Sequence, residues 1–365
     1  MVKEGTFGPA EAIALLALSS LARSFLSYPR FLVEIAGPAA WMTPVGGLAV
    51  TLVGVYLISL VLKKNPGYTI IETAEQAFGP FIGTAVNVLI VVSAFEMLGA
   101  LFLREFSEAM LNTTLRFAPI SIIAFSFLAM GLLGAYLGVE ALARTARLIY
   151  LYVLVGLLVT ILSLIPLWEF CNLLPMFGKG ASRDFFLGTY ATSGITEVIL
   201  AAVIVQAMGG VTYFTRIGYR SMLISFGILI VLLATLVLTY NWPVSEEFTL
   251  PFLRLSRTIY LGRFFQRPEA IFILIWTIVG ALKISLVLYG AAVSLARSLK
   301  LPDYRPLIWP LGLAMFIIGL LPPDMPAAVN LDIIVRRLVF IPDYLLPLLI
   351  LAAYWLKGRS GRAGS

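Results

Sequence analysis

Four ionisable residues sit inside long apolar runs where a membrane would leave them without water: Arg23, Glu96, Glu197 and Lys283. Placing one such charge at the centre of a bilayer costs roughly 2.5–3.5 kcal/mol even on insertion scales. Two are cationic and two anionic, so mutual pairing would offset much of that. Arg23 and Lys283 are suited to gripping an anionic group such as a carboxylate, or to standing in for a coupling cation. Glu197 is suited to an ammonium group or to Arg23. Glu96, beside Met97, lies off-centre toward the end of its run. The alternative is a salt-bridge cluster that fixes helix packing and binds nothing.

Two of these charges adjoin short polar interruptions. One is Ser19-Ser20-Leu21-Ala22-Arg23-Ser24 and the other Ala191-Thr192-Ser193-Gly194-Ile195-Thr196, followed at once by Glu197. Small polar residues inside an apolar run weaken a helix, and an opened backbone is tolerated at membrane depth only where a cavity or ligand satisfies it. Taken alone, each stretch also fits close helix packing. Trp276 lies seven residues before Lys283, on the same helical face, and is a candidate pocket wall or a core residue.

Other chemistry is missing from the sequence. There is no histidine, the usual metal ligand and neutral-pH base, and the single cysteine, Cys171, has no intramolecular partner. No phosphate loop, metal-ligand spacing or Ser-His-Asp set is present, so neither an enzyme nor a cofactor is expected.

These residues need elements to hold them, and composition says which. The chain of 365 residues is 60% apolar and only 12% charged, against about 25% charge in soluble domains. A net charge of +7 is scattered through short loops, as suits lipid headgroups rather than nucleic acid. Runs long enough to cross a bilayer are read at 12–35, 44–62, 81–103, 118–138, 147–167, 185–208, 219–241, 270–297, 306–321 and 340–357. The fold expected is all-α and membrane-embedded, with about ten spans. The first run is too long for a signal peptide and is expected to stay in the protein. Loop Lys and Arg residues favour both termini in the cytoplasm, with Arg104, Arg336 and Arg337 assigned to loops on the opposite side.

Segments 67–78 and 249–262 read as amphipathic helices on the membrane surface, each after the second span of its half. Five spans per half is odd, so the second half enters the membrane inverted. The two halves are 9–167 and 183–357, and the matched interruptions in the first and sixth spans point to a binding site between them.

Several strings, taken in order, resemble the spore germination permease family, the multispanning B subunits of nutrient germinant receptors within the amino acid–polyamine–organocation superfamily. They include Leu26-Ser27-Tyr28-Pro29-Arg30, Ala39-Ala40-Trp41-Met42-Thr43, Gly138-Val139-Glu140 with Ala143-Arg144, and Asn172-Leu173-Leu174-Pro175. The most specific is Leu261-Gly262-Arg263-Phe264-Phe265-Gln266-Arg267-Pro268-Glu269, followed by Trp276, Lys283 and Tyr289. The resemblance implies a LeuT-like five-plus-five inverted repeat in the spore inner membrane. It also implies a mid-membrane site for a small nutrient, typically an amino acid, and signalling to partner A and C subunits. Family members tend to open the first helix with a Gly-x-Gly break, where this chain has Ala22-Arg23-Ser24. Arg23 then takes up ligand space, grips an anion, or pairs with Glu197. The rival readings are a proton- or cation-coupled amino acid carrier and a structural subunit with a vestigial site.

Overall fold

The computed structural model describes residues 5–178, 183–193, 196–259 and 269–360. Helices are the regular elements among them, and an apolar core runs through the bundle. The first span is two pieces, α1 (Pro9–Ala22) and α2 (Tyr28–Ala36), joined through a tight turn at Arg23–Phe25. After α3 (Thr43–Leu62) comes the short α4 (Ile70–Phe78), started by a capping box in which Thr69 and Glu72 satisfy each other's ends of the turn. Then follow α5 (Pro80–Thr113), α6 (Ile120–Leu137) and α7 (Val139–Leu164).

The second half begins with α8 (Arg183–Ser193) and α9 (Thr196–Val203), with 194–195 between them outside the described residues. It continues with α10 (Val211–Thr239), the short α11 (Pro251–Thr258), α12 (Glu269–Ser298), α13 (Arg305–Leu320) and α14 (Met325–Lys357). Leu261–Arg267, the most specific string of the sequence, also lies outside the described residues, as does the end of the 249–262 surface segment.

Among the described residues, eight helical stretches are long and apolar enough to cross a membrane. The difference from ten has two sources. The break after Ala22 leaves α1 only 14 residues long, and α13 has 16. Side chains on α7 show the lipid-facing pattern, with Leu151, Tyr152, Leu158 and Leu162 all exposed apolar residues.

Span boundaries differ from the sequence reading at two places. Helix α5 runs ten residues past 103, to Thr113, and α14 starts at Met325 rather than at 340. Arg104, Arg336 and Arg337 are therefore helical, not loop residues as expected. The physical reason is local neutralisation. Arg104 pairs with Glu108 at 2.8 Å and Arg336 with Asp332 at 2.5 Å, each one helical turn apart.

Packing partners recur in matched sets. Helix α1 lies on α10 and α7, while α8 lies on α3 and α14. Likewise α6 lies on α12, and α13 on α5. Helix α3 approaches α8 closely: a Cβ at Gly47 would fall 2.5 Å from Cβ of Thr192. The Thr192 hydroxyl donates across this contact to the Thr43 carbonyl at 3.2 Å.

Candidate functional site

The turn in the first span lies against α8 and α9 and is tied to them on both sides. On one side Ser19 of α1 donates to Oε1 of Glu197 at 2.8 Å. Lys283 of α12 donates to the same oxygen, so one carboxylate joins three spans. All three residues are buried. Glu197 is the second residue of α9 and is buried. The ammonium and hydroxyl satisfy this oxygen where water does not reach it.

On the other side, Tyr28 opens α2 and its hydroxyl donates to the carbonyl of Ala191 in α8 at 3.4 Å. The Arg23 guanidinium sits over the Tyr28 ring, 4.2 Å from its centre, and donates to its hydroxyl at 3.3 Å. Arg336 of α14 approaches the same ring at 5.9 Å. Ser27 donates to Glu105 of α5 at 2.6 Å, and Glu105 is within electrostatic reach of Asp332 and Arg336. Oδ1 of Asp332 is buried with no hydrogen-bond partner among the described residues. The carbonyl of Ser193, at the end of α8, accepts from Tyr344 of α14 at 2.8 Å.

A vestibule of about 1170 Å³ opens above this layer, with Arg30, Arg254, Arg257 and Arg337 around it and Glu34 and Glu247 among them. A second cavity of about 450 Å³ lies beside it, walled by Tyr28, Tyr190, Asp332 and Arg336. Both cavities reach Ser27, Phe31, Val329, Ile333 and Arg337. Ser27 and Phe31, at the start of the resumed first helix, thus line both cavities.

The residues singled out from sequence fall into three places. Arg23, Glu197 and Lys283 come together, and Ser20, Ala22, Ser24 and Ser193 are buried around the breaks. Gly194 lies outside the described residues. Glu96 is buried elsewhere on α5, with neither carboxylate oxygen hydrogen-bonded among the described residues. Met97 packs on the small cluster of Leu98, Leu101, Val335 and Val339. Trp276 is fully buried in an aromatic stack, 4.8 Å from Phe106 and 6.4 Å from Phe272. It helps wall a separate apolar cavity of about 350 Å³ with Phe25 and α7.

Sequence reasoning missed Glu105, Asp332, Arg336 and Tyr344 as members of the site layer. A signal was present: Asp332 and Arg336 stand four apart, the spacing at which opposite charges neutralise each other on a helix. Tyr28 figured only within a family-like string.

Among the described residues the bundle is all-helical and membrane-spanning, with the interrupted first span packed against α8 and α9, which defines a membrane protein of the LeuT-like fold. Solved structures agree on that fold. A nucleobase-cation-symport-1 family transporter, Mhp1, in a closed conformation with bromovinylhydantoin bound, superposes with a TM-score of 0.65 at 13% identity, covering 90% of this chain and 75% of its own. MhsT, in complex with L-phenylalanine, gives 0.63 at 11% identity, with 97% and 99% covered.

The model of a family described as spore germination protein matches residues 7–326, and the chain belongs to that family. Two similar relatives come from Bacillus subtilis (strain 168). Spore germination protein KB is 26% identical over 364 residues, covering 96% of this chain and 95% of the relative. Spore germination protein A2 is 24% identical over 369 residues, covering 96% and 95%. Family and fold relatives are permeases and transporters rather than enzymes. The protein is an integral membrane protein whose family and fold support nutrient sensing or solute transport.

Proposed function

We propose that this protein is the membrane subunit of a spore nutrient-germinant receptor, binding an amino acid or similar small nutrient and signalling to partner A and C subunits. The observation that carries this reading is the double tie between the turned first span and the α8–α9 pieces, Ser19 to Glu197 on one side and Tyr28 to the Ala191 carbonyl on the other. A solute descending the vestibule meets Ser27, Tyr28 and the Asp332–Arg336 pair first. Its ammonium and carboxylate compete for those polar groups, and the outer tie is the weaker at 3.4 Å. Ligand binding that favours one seating of α2 on α8 then shifts a two-state equilibrium.

The protein belongs in the spore inner membrane with both termini cytoplasmic. Its repeats are 9–167 and 183–357. The matched packing sets support that division, since α1 on α10 corresponds to α8 on α3 when one half is laid on the other. Amphipathic α4 and α11 likewise follow the second span of each half.

A coupled amino acid carrier is the second reading. Against a metal-cation-driven cycle stands Lys283, whose ammonium already occupies the Glu197 carboxylate. The two are separated by reconstituting the full chain alone in liposomes with each labelled standard amino acid. A receptor subunit binds one saturably without accumulating it. Uphill accumulation under an imposed ion gradient would overturn the receptor reading in favour of the carrier.

A further inference from the structure

Arg147 of α7 and Arg220 of α10 flank a groove of about 380 Å³ that shares no lining residue with the vestibule or the cavity beside it. Both are exposed, and neither enters an ion pair among the described residues. Tyr150 stands beside them, and the remaining wall is apolar: Ile13 and Ala14 of α1, with Leu223 and Ile224 of α10.

Their depth can be read from helix length. The stretch from Arg147 to Leu167 rises about 30 Å at ~1.5 Å per residue, which is the thickness of the hydrocarbon core. From Arg220 to Thr239 the rise is about 29 Å on the same reckoning. Both guanidiniums therefore lie at the headgroup level when the far ends of their helices reach the opposite boundary. Tyr150 suits that level as well, with its apolar ring and polar tip. Below the arginines the groove turns apolar toward the membrane interior.

We propose that this groove is a binding site for an anionic phospholipid. The paired guanidiniums hold the phosphate, and an acyl chain lies along Ile13, Leu223 and Ile224. Arginine matches phosphate geometry with two parallel donors, which a zwitterionic headgroup neutralises in part. One wall is α1, the piece that leads to Ser19 and the Arg23 turn, so an occupied groove holds α1 against α7 and α10. This assignment does not depend on the germinant reading.

The test uses the full chain purified in neutral detergent. Dioleoyl phosphatidylglycerol and dioleoyl phosphatidylcholine compete for it, with bound lipid counted by native mass spectrometry and thermal unfolding followed in parallel. A preference for the anionic lipid of about fivefold per arginine, or roughly twenty-five-fold for both, is expected from the attraction of one basic residue near a charged surface. Arg147→Gln/Arg220→Gln removes that preference, while Arg147→Lys/Arg220→Lys retains most of it. Arg144→Gln, whose charge is already paired with Glu140, leaves it unchanged. The assignment fails if wild type shows no preference, if the glutamine pair keeps it, or if inorganic phosphate alone gives the same thermal shift.

Discussion

Lys283 and Ser19 share a single oxygen of Glu197, so α12, α1 and α9 meet on one carboxylate. That junction fixes how the turn of the first span lies against α9. The opposite side is held by Tyr28, which together with Ala191 walls the cavity of about 450 Å³ beside the vestibule. The asymmetry between a charged, buried tie and a neutral, approachable one is the basis of the predictions below.

Removing one member of the buried pair leaves the other charge uncompensated. Lys283→Met or Glu197→Leu alone is expected to lower stability by about 3–5 kcal/mol, while the double variant recovers most of the loss because both charges are gone. Thermal unfolding of the three variants in detergent measures this. Losses in the double variant that equal the sum of the singles would show that the pair does not act as a unit.

Tyr28 contributes through its hydroxyl and its ring separately. Tyr28→Phe removes the hydrogen bond to Ala191 and is expected to destabilise by about 0.5–1.5 kcal/mol. Tyr28→Ala also empties the space of the buried ring beneath Arg23 and is expected to cost about 3–5 kcal/mol in all. Equal effects from the two variants would mean that the ring contact contributes nothing.

Two helix glycines should respond with opposite sign to the same change. Gly227→Ala meets open space and gains up to about 1 kcal/mol from helix propensity. Gly47→Ala pushes against Cβ of Thr192, which cannot swing away, and separates α3 from α8. Its unfolding temperature is expected to fall while that of Gly227→Ala holds or rises. Matching behaviour would argue against the close approach.

The vestibule arginines act at a distance. Arg254→Gln/Arg257→Gln is expected to slow association of a carboxylate-bearing solute severalfold at low salt and to have little effect at high salt, because screening removes steering between exposed charges. Stopped-flow binding at two ionic strengths distinguishes steering from contact. A slowdown that persists at high salt would indicate direct contact with the bound solute.

The sequence made the break in the first helix and three of the facing charges legible, because Arg23, Glu197 and Lys283 stand in otherwise apolar surroundings. It hid the outer layer for a physical reason. Hydropathy counts Asp332 and Arg336, or Arg104 and Glu108, as separate penalties, whereas one turn of helix lets each pair cancel. Both segments therefore looked like loops, and Glu105 went with them. Trp276 shares the helical face of Lys283, yet α12 places it in an aromatic stack against α5, which periodicity alone does not distinguish from a pocket wall.

The most direct measurement is hydrogen exchange on the reconstituted protein, with and without the standard amino acid that binds saturably. Protection is expected to change together at 23–28, the turn of the first span, and at 191–193, the end of α8, since one solute replaces the tie between Tyr28 and Ala191. Saturable binding that leaves both segments unchanged, with protection confined to another part of the bundle, would contradict the account.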